Sequence, residues 1–347
     1  MNNPKSSDDI LKKRSEILHE TRQFFYNRDF IEVETPSLVV SPGFEPTLQA
    51  FRTKYFGMDR AIAKKMFLPT SPEFHMKKLL ARGYEKIFQI CRAYRNGEIG
   101  RYHNPEFTIL EWYRANENYD SVMSDTENLI SQVAENVSGT PLITTADNLK
   151  IDLSPPWNRM TVNEAWKTYC DIDLDAATSA KELLAAGRKL GVQNLSLDDD
   201  WEILYFKIFL STIEPHLGFP KPTILMEYPS VMAALARLKP EDPSVSLRFE
   251  IYIAGIELAN AFDELTDIRE QRQRFMQAQL AQKAMKTTIF PIDESLFKAM
   301  SEYFPKKAAG IALGIDRMIM LLTGRSSIND VIAFPFDTSQ DEENRSL

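Results

Sequence analysis

The stretch Lys86-Ile-Phe-Gln-Ile-Cys-Arg-Ala-Tyr-Arg-Asn-Gly-Glu-Ile-Gly-Arg-Tyr-His-Asn-Pro-Glu-Phe-Thr-Ile-Leu-Glu-Trp-Tyr-Arg114 reads as two β-strands joined by a polar loop. Successive strand side chains point to opposite faces. In the first arm Phe88, Ile90 and Tyr94 fall on one face, and Gln89, Cys91, Ala93 and Arg95 on the other. In the second arm Phe107, Ile109, Glu111 and Tyr113 share a face, and Thr108, Leu110 and Trp112 share the opposite one. One face therefore gathers Arg95, Phe107, Glu111 and Tyr113. A guanidinium grips a phosphate or carboxylate through a fork of donors. An aromatic ring offers a stacking platform, and a carboxylate with a phenol can receive an ammonium group. The loop adds Asn96, Glu98, Arg101, His103 and Asn104, more polar chemistry than a plain hairpin turn needs. A surface hairpin with its charges in water would share the alternation.

Composition bounds the rest. A chain of 347 residues with 44% hydrophobic residues fits one large globular domain or two smaller ones. No apolar run approaches the roughly 20 residues that span a membrane. The polar start, with Lys12, Lys13 and Arg14 and no apolar segment after them, does not read as a signal peptide. Cys91 and Cys170 are the only two cysteines, too few for a disulfide framework, so a reducing cytoplasmic setting is expected. The four histidines are scattered, which argues against a zinc site. The net charge of −8, without a Lys/Arg-rich arm, suits cationic substrates or a basic protein partner better than tRNA.

Working outward, residues 8–28 carry apolar side chains at helical spacing, and residues 30–35 alternate as a strand with Ile31 and Val33 inward, closed by Pro36. Residues 41–69 read as a loop and a hairpin. Ser71, Pro72 and Glu73 form a helix start, with Gly83 as its stop. Residues 119–137 read as helical and 141–160 as irregular strands. Helices are expected over 161–216, with Asp198, Asp199 and Asp200 in a solvated linking turn. His216 has no ligand-like neighbour and reads as structural or exposed. Strands are expected over 223–230 and 246–258, then a bend at 259–262. Glu257 and Glu264, seven residues apart across that bend, could hold Mg²⁺ against phosphates or neutralise a cationic substrate. Asp267 caps a helix to about Lys286. Gly310 and Gly314 allow close backbone approach to a ligand before a helix from Ile315 that carries Arg317.

The ordered set of segments resembles the class II aminoacyl-tRNA synthetases, and within them the lysyl-tRNA synthetase core. Residues 95–98 with residues 101–108 and 111–113 resemble motif 2; residues 30–36 resemble motif 1; residues 70–74 the amino-acid-binding turn; residues 255–265 the lysine and metal segment; and residues 310–317 motif 3. The fold so implied is α+β, an antiparallel β-sheet flanked by helices, as one catalytic domain over 1–347 with a helical insertion at 161–222. An anticodon-binding barrel needs five strands, more than the residues before Phe30 offer, so no anticodon-binding domain is expected. The strongest likeness is to the lysyl-synthetase paralogues that attach (R)-β-lysine to elongation factor P.

That resemblance implies roles by position. Arg95 and Arg317 would be catalytic. Ser71, Pro72, Glu73, Tyr113, Glu264 and Ala312 would bind the amino acid. ATP would be held by Arg95, Asn96, Gly97, Glu98, His103, Asn104, Phe107, Glu257, Leu258, Gly314 and Arg317, and Mg²⁺ by Glu257 and Glu264. Lysyl-tRNA synthetases commonly have alanine at the position of Ser71 and glycine at that of Ala312; the two departures together point to β-lysine. Many relatives have Arg-Asn-Glu-Glu or Arg-Asn-Glu-Gly where this chain has Arg95-Asn96-Gly97-Glu98, which leaves the adenine contact open between the Gly97 backbone and the Glu98 side chain. The implied reaction is adenylation of (R)-β-lysine by ATP and transfer to a lysine ε-amine of elongation factor P, by a homodimer formed through the motif 1 region, without tRNA. A lysine–tRNA ligase, an amide ligase akin to asparagine synthetase A, and a non-catalytic regulator are the alternatives. Retention of both arginines argues against the last. No residue is singled out as general base.

Overall fold

The computed structural model describes residues 4–58, 63–177 and 179–336, so the single domain expected over 1–347 also covers residues outside the described set. The chain opens with α1 (Pro4–Tyr26), β1 (Ile31–Glu32), a ribbon of β2 (Arg52–Phe56) and β3 (Ala63–Phe67), and α2 (Glu73–Leu80). The quoted hairpin follows as β4 (Lys86–Tyr94) and β5 (Glu106–Ala115), then α3 (Tyr119–Ser138), β6 (Leu142–Thr144), β7 (Lys150–Asp152) and β8 (Asn158–Thr161). Next come α4 (Val162–Cys170), α5 (Ala180–Lys189), α6 (Trp201–Ile208), β9 (Thr223–Pro229), β10 (Leu238–Lys239), β11 (Asp242–Ile253) and β12 (Ile256–Asp263). The described chain closes through α7 (Ile268–Ala284), α8 (Glu294–Glu302), β13 (Ala308–Gly314) and α9 (Ile315–Leu322).

A nine-stranded sheet runs β1-β4-β5-β13-β12-β11-β9-β8, with β10 against β11. It is antiparallel through its centre, as expected of the fold class, but both edge pairs, β1–β4 and β8–β9, are parallel. One face of the hairpin feeds the main core. Phe88, Leu110 and Trp112 are buried there with Ile17, Phe24 and Phe25 of α1 and with side chains of α3 and α9. Phe25 stacks on Phe88 with ring centroids 4.6 Å apart. On the opposite face α2 packs Met76 and Leu80 against Ile87 and Tyr113, and the rest of that face lines a cleft.

Two local expectations are corrected. Ile31 does not point inward: it is 50% exposed, while Phe30 is buried. Phe30 takes the inward place by packing on Phe25, and Glu32 turns back to Arg22 and Tyr26 of α1, while Val33 is partly buried against the Met76 and Leu80 cluster as expected. The bend expected at 259–262 lies earlier, at Ala254 and Gly255, both in the left-handed region with φ of 55° and 73°. Residues 256–263 are therefore one continuous strand.

Elsewhere the local chemistry acts as read. Asp267 caps α7, accepting from the N–H groups of Arg269 and Glu270. The acidic turn is consumed locally: Asp200 caps α6, and Asp199 pairs with Lys207 at 2.6 Å. The helices over 161–216 bury their own apolar cluster around Trp166, Leu183, Leu204 and Tyr205, which is shared with β9. His216 is exposed and stacks on Tyr169 with centroids 5.2 Å apart.

The buried Asp316 carboxylate joins three elements. It accepts from Arg14 of α1 at 2.7 Å and from the Thr108 backbone N–H of β5 at 2.7 Å, while itself standing in α9. Removing one partner leaves a partly buried guanidinium uncompensated. Asp316→Ala should lower stability by about 3–5 kcal/mol, read as a reduced urea midpoint with unchanged slope.

Candidate active site

The cleft is a trench cut along β13. Its cleft-facing residues are Gly310, Ala312 and Gly314, so the middle strand has almost no side chains on that face. The flanking strands stand taller. Tyr113 of β5 pairs with Gly310, which pairs with Phe262 of β12; Glu111 pairs with Ala312, which pairs with Asn260. A side chain at Gly310 has nowhere to go: a Cβ there would lie 2.2 Å from Tyr113 Cε1 and 2.7 Å from Glu264 Oε1. The resulting cavity of about 280 Å³ is lined by strand residues, the start of α2 and the hairpin loop.

Glu257 and Glu264 both reach this cavity, although residues seven apart face opposite sides of a regular strand. A β-bulge resolves this. Tyr252 pairs with Glu257 and Ile251 with Ala259, leaving Leu258 as an extra residue. The bulge turns Glu257 to the face that also carries Asn260, Phe262 and Glu264.

One end of the trench is acidic. Ser71 donates to Glu111 Oε1 at 2.6 Å and accepts from the Glu73 backbone N–H at 3.0 Å, so one hydroxyl fixes both a carboxylate and a helix start. The structure begins α2 at Glu73 with Pro72 before it, and Ser71 still supplies the capping oxygen. Tyr113 donates to Glu111 Oε2 at 3.1 Å. Burial pushes the Glu111 carboxyl up to about 8, against the lowering effect of the Ser71 hydroxyl. Glu264 is pushed up to about 7, again first by burial, while Lys77 opposes the shift. Lys77 stands 2.5 Å from Glu73 and 2.7 Å from Glu264. This end suits ammonium groups.

The other end is cationic and aromatic. The Arg95 guanidinium lies 5.0 Å from the Phe107 ring centroid, and its Nε is buried without a hydrogen-bond partner. Glu98 meets Arg95 at 3.7 Å. Arg317 is locked: it donates to Tyr102 O and Glu257 O and stands 2.8 Å from His103 Nε2. Burial, then Arg317, pulls the His103 pKa down, which favours the neutral imidazole beside the guanidinium. This end suits a nucleotide and its phosphates.

Most expected site residues converge here: Ser71, Glu73, Arg95, Glu98, His103, Asn104, Phe107, Tyr113, Glu257, Leu258, Glu264, Ala312, Gly314 and Arg317 line the cavity. Three do not. Pro72 only starts the helix, and Asn96 and Gly97 are exposed in the turn, Gly97 with φ of 87°. Glu98 therefore reaches the cavity by its side chain where Gly97 does not. Asn104 serves the loop as well, donating to Glu106 O and accepting from Phe336 N at 2.9 Å. Of the two carboxylates expected on a metal, Glu257 makes no ion pair among the described residues, whereas Glu264 is already paired with Lys77. Sequence reading missed Glu45, Asn260 and Lys77. Glu45 lines the cavity and has its pKa raised by burial and by Glu73; no pattern marked it. Lys77 had a signal, the four-residue spacing from Glu73 on an otherwise apolar helix face.

The family model for tRNA synthetases class II (D, K and N) matches residues 1–338. Curated relatives include the elongation factor P--(R)-beta-lysine ligases of Salmonella paratyphi B, Salmonella schwarzengrund and Salmonella dublin. Each is 38% identical over 335 residues, which cover 96% of this chain and 97% of the relative.

Two outcomes test the acidic end. Gly310→Ala should displace Tyr113 and Glu264 and lower affinity for a cationic ligand by about tenfold or more, while ATP binding, at the far end, changes little; calorimetry reads both. Glu111 binds its proton more tightly folded than unfolded, so the ligand-free protein should lose stability as pH rises from about 4.5 through about 8. Glu111→Gln should flatten that slope in urea titrations across the window.

Proposed function

The chain belongs to the class II tRNA synthetases (D, K and N), and from that premise we propose that it is an ATP-dependent ligase that adenylates (R)-β-lysine and transfers it to the ε-amine of a lysine on elongation factor P. The observation that carries the substrate class is the two-ended trench. Carboxylates gather around Tyr113 at one end, and Arg95, Phe107 and Arg317 stand at the other. A diamino acid spans such a site with its amines at the acidic end and its carboxylate toward Arg95. Aspartate would bring a second carboxylate to Glu111 and Glu264, which disfavours it.

In the first step a substrate carboxylate oxygen attacks the α-phosphorus of ATP, the bond to the bridging oxygen breaks, and pyrophosphate leaves. Arg95 holds the reacting carboxylate and phosphate and offsets the charge that develops. Phe107 and Arg317 flank the adenine, with His103 and Asn104 beside it. In the second step the acceptor amine attacks the carbonyl carbon of the mixed anhydride, and AMP leaves. Ser71 orients Glu111, and the Ala312 methyl sets the floor under the amino acid. No side-chain nucleophile enters either step.

Mg²⁺ is the ion this chemistry implies. Among the described residues no cluster of three or more metal-binding side chains exists. A nucleotide-borne Mg²⁺ needs only one or two protein carboxylates, and Glu257 fits: it lines the cleft without an ion-pair partner among the described residues, and burial and then Glu250 push it up to about 7, so its ionised form gains from a cation. When bound, the ion would neutralise phosphate oxygens. We place it with Glu257 and keep Glu264 for the amine.

We place a homodimer contact at the motif 1 edge, where Tyr26 and Ile31 leave apolar surface exposed beside a short edge strand. No described helix is long and apolar enough to cross a membrane. A cytoplasmic setting is part of this proposal, supported by two free thiols, Cys91 and Cys170.

ATP–pyrophosphate exchange with (R)-β-lysine, α-lysine and aspartate compared side by side is the test. Exchange should favour (R)-β-lysine, and Arg95→Ala should reduce it by about 10²–10³-fold. With elongation factor P added, a mass increase on one lysine should follow. Preference for α-lysine would transfer the site to a tRNA-type reaction, and exchange with none would overturn the proposal.

A further inference from the structure

Lys77 lies one helical turn after Glu73, among the buried Phe74, Met76 and Leu80 of α2. It is fully buried and does not line the cleft, so it stands behind the wall rather than in it. Its ammonium is 2.5 Å from Glu73 Oε1 and 2.7 Å from Glu264 Oε2. These carboxylates come from separate elements, α2 and the end of β12, and both line the cleft. Lysine is almost never fully buried without a partner, and an apolar residue would pack this position with less desolvation. Burial opposes its charge, but Glu264 and then Glu73 outweigh it, and its pKa is raised. Glu111, Tyr113, Glu45 and Asp263 stand around the pair and none is a cation; Arg237, the cation beyond Asp263, is paired with it at 2.8 Å.

We propose that Lys77 is a positioning residue: a fixed internal cation that holds the Glu73 and Glu264 carboxylates together so that their remaining oxygens receive the ammonium groups of a diamino acid. This rests on the acidic end being the amine site. Two carboxylates brought together from different elements in a dry pocket repel each other strongly. A cation between them turns that repulsion into two attractions and draws both side chains to one point. Lys77 occupies Glu73 Oε1 and Glu264 Oε2, which leaves Glu73 Oε2 and Glu264 Oε1 for a ligand. Glu264 Oε1 is the oxygen a Cβ on Gly310 would strike, so it faces the trench floor. Among the described residues Glu264 Oε2 has no partner besides the Lys77 ammonium at 2.7 Å. The wall of the cleft thus carries its own copy of the group it is shaped to bind.

The experiment compares wild type with Lys77→Met, of similar length without charge, and Lys77→Arg, which keeps the charge. Calorimetry reads the binding of (R)-β-lysine, α-lysine and ATP, exchange kinetics separate KM from kcat, and thermal melts report folding. Lys77→Met should weaken binding of the amino acid by about tenfold or more with ATP affinity within about twofold, and the loss should sit in KM more than in kcat. Lys77→Arg should recover part of that loss. A Lys77→Met protein that binds the amino acid as wild type does would overturn the inference, as would equal losses for amino acid and ATP. Failure of both variants to fold would assign Lys77 to stability and overturn it too. If wild type binds neither lysine, the amine-site reading itself fails, an outcome separate from any change between variants.

Discussion

Charge kept out of water is the constraint on which this active site depends. Glu73, Glu111 and Glu264 converge on one end of a trench, where burial disfavours the ionised forms of Glu111 and Glu264. Every one is given a specific partner: Lys77 for Glu73 and Glu264, and Ser71 with Tyr113 for Glu111. The partners leave part of the acceptor capacity open. At the far end the arrangement is reversed, with a buried Arg95 donor unpaired and Arg317 already committed to the loop and to β12. A molecule that is cationic at one end and anionic at the other satisfies both ends at once.

The sheet makes this possible because strand neighbours are held in register by the backbone, not by the polar side chains. The rows Tyr113–Gly310–Phe262 and Glu111–Ala312–Asn260 cross three strands at fixed spacing. Glycine and alanine on the middle strand cut the trench, and the core on the opposite face, from Phe25 and Phe88 to Trp112, keeps it from collapsing. Asp316 ties that core to the first helix and to β5. The binding face can therefore carry costly charge because the other face carries the stability.

The same division lets small side chains shape the trench without disturbing the fold. Ser71 and Ala312 are both small residues, yet one fixes a buried carboxylate and the other sets trench depth beside it. In a dry site, a hydroxyl gained or a methyl added changes a carboxylate's orientation or a ligand's reach without altering the fold.

The sequence by itself determined what short-range chemistry governs: the hairpin alternation that puts Arg95, Phe107, Glu111 and Tyr113 on one face, the Ser71 and Asp267 caps, and the closely spaced glycines of β13. These follow from backbone geometry over a few residues, and the ordered motifs carried the family. The tertiary structure alone decided the rest. The bulge at Leu258 depends on how β11 pairs with β12, so Glu257 and Glu264 looked separated by a bend when Glu257 in β12 and Glu264 just past its end reach one cavity. Ile31 was set outward by Phe30 finding Phe25, a contact with the preceding helix. Lys77 went unmarked in the sequence because the carboxylate it meets, Glu264, lies nearly two hundred positions away in the chain. Pairing register and buried charge are settled between distant segments, and no local pattern records which segments will meet.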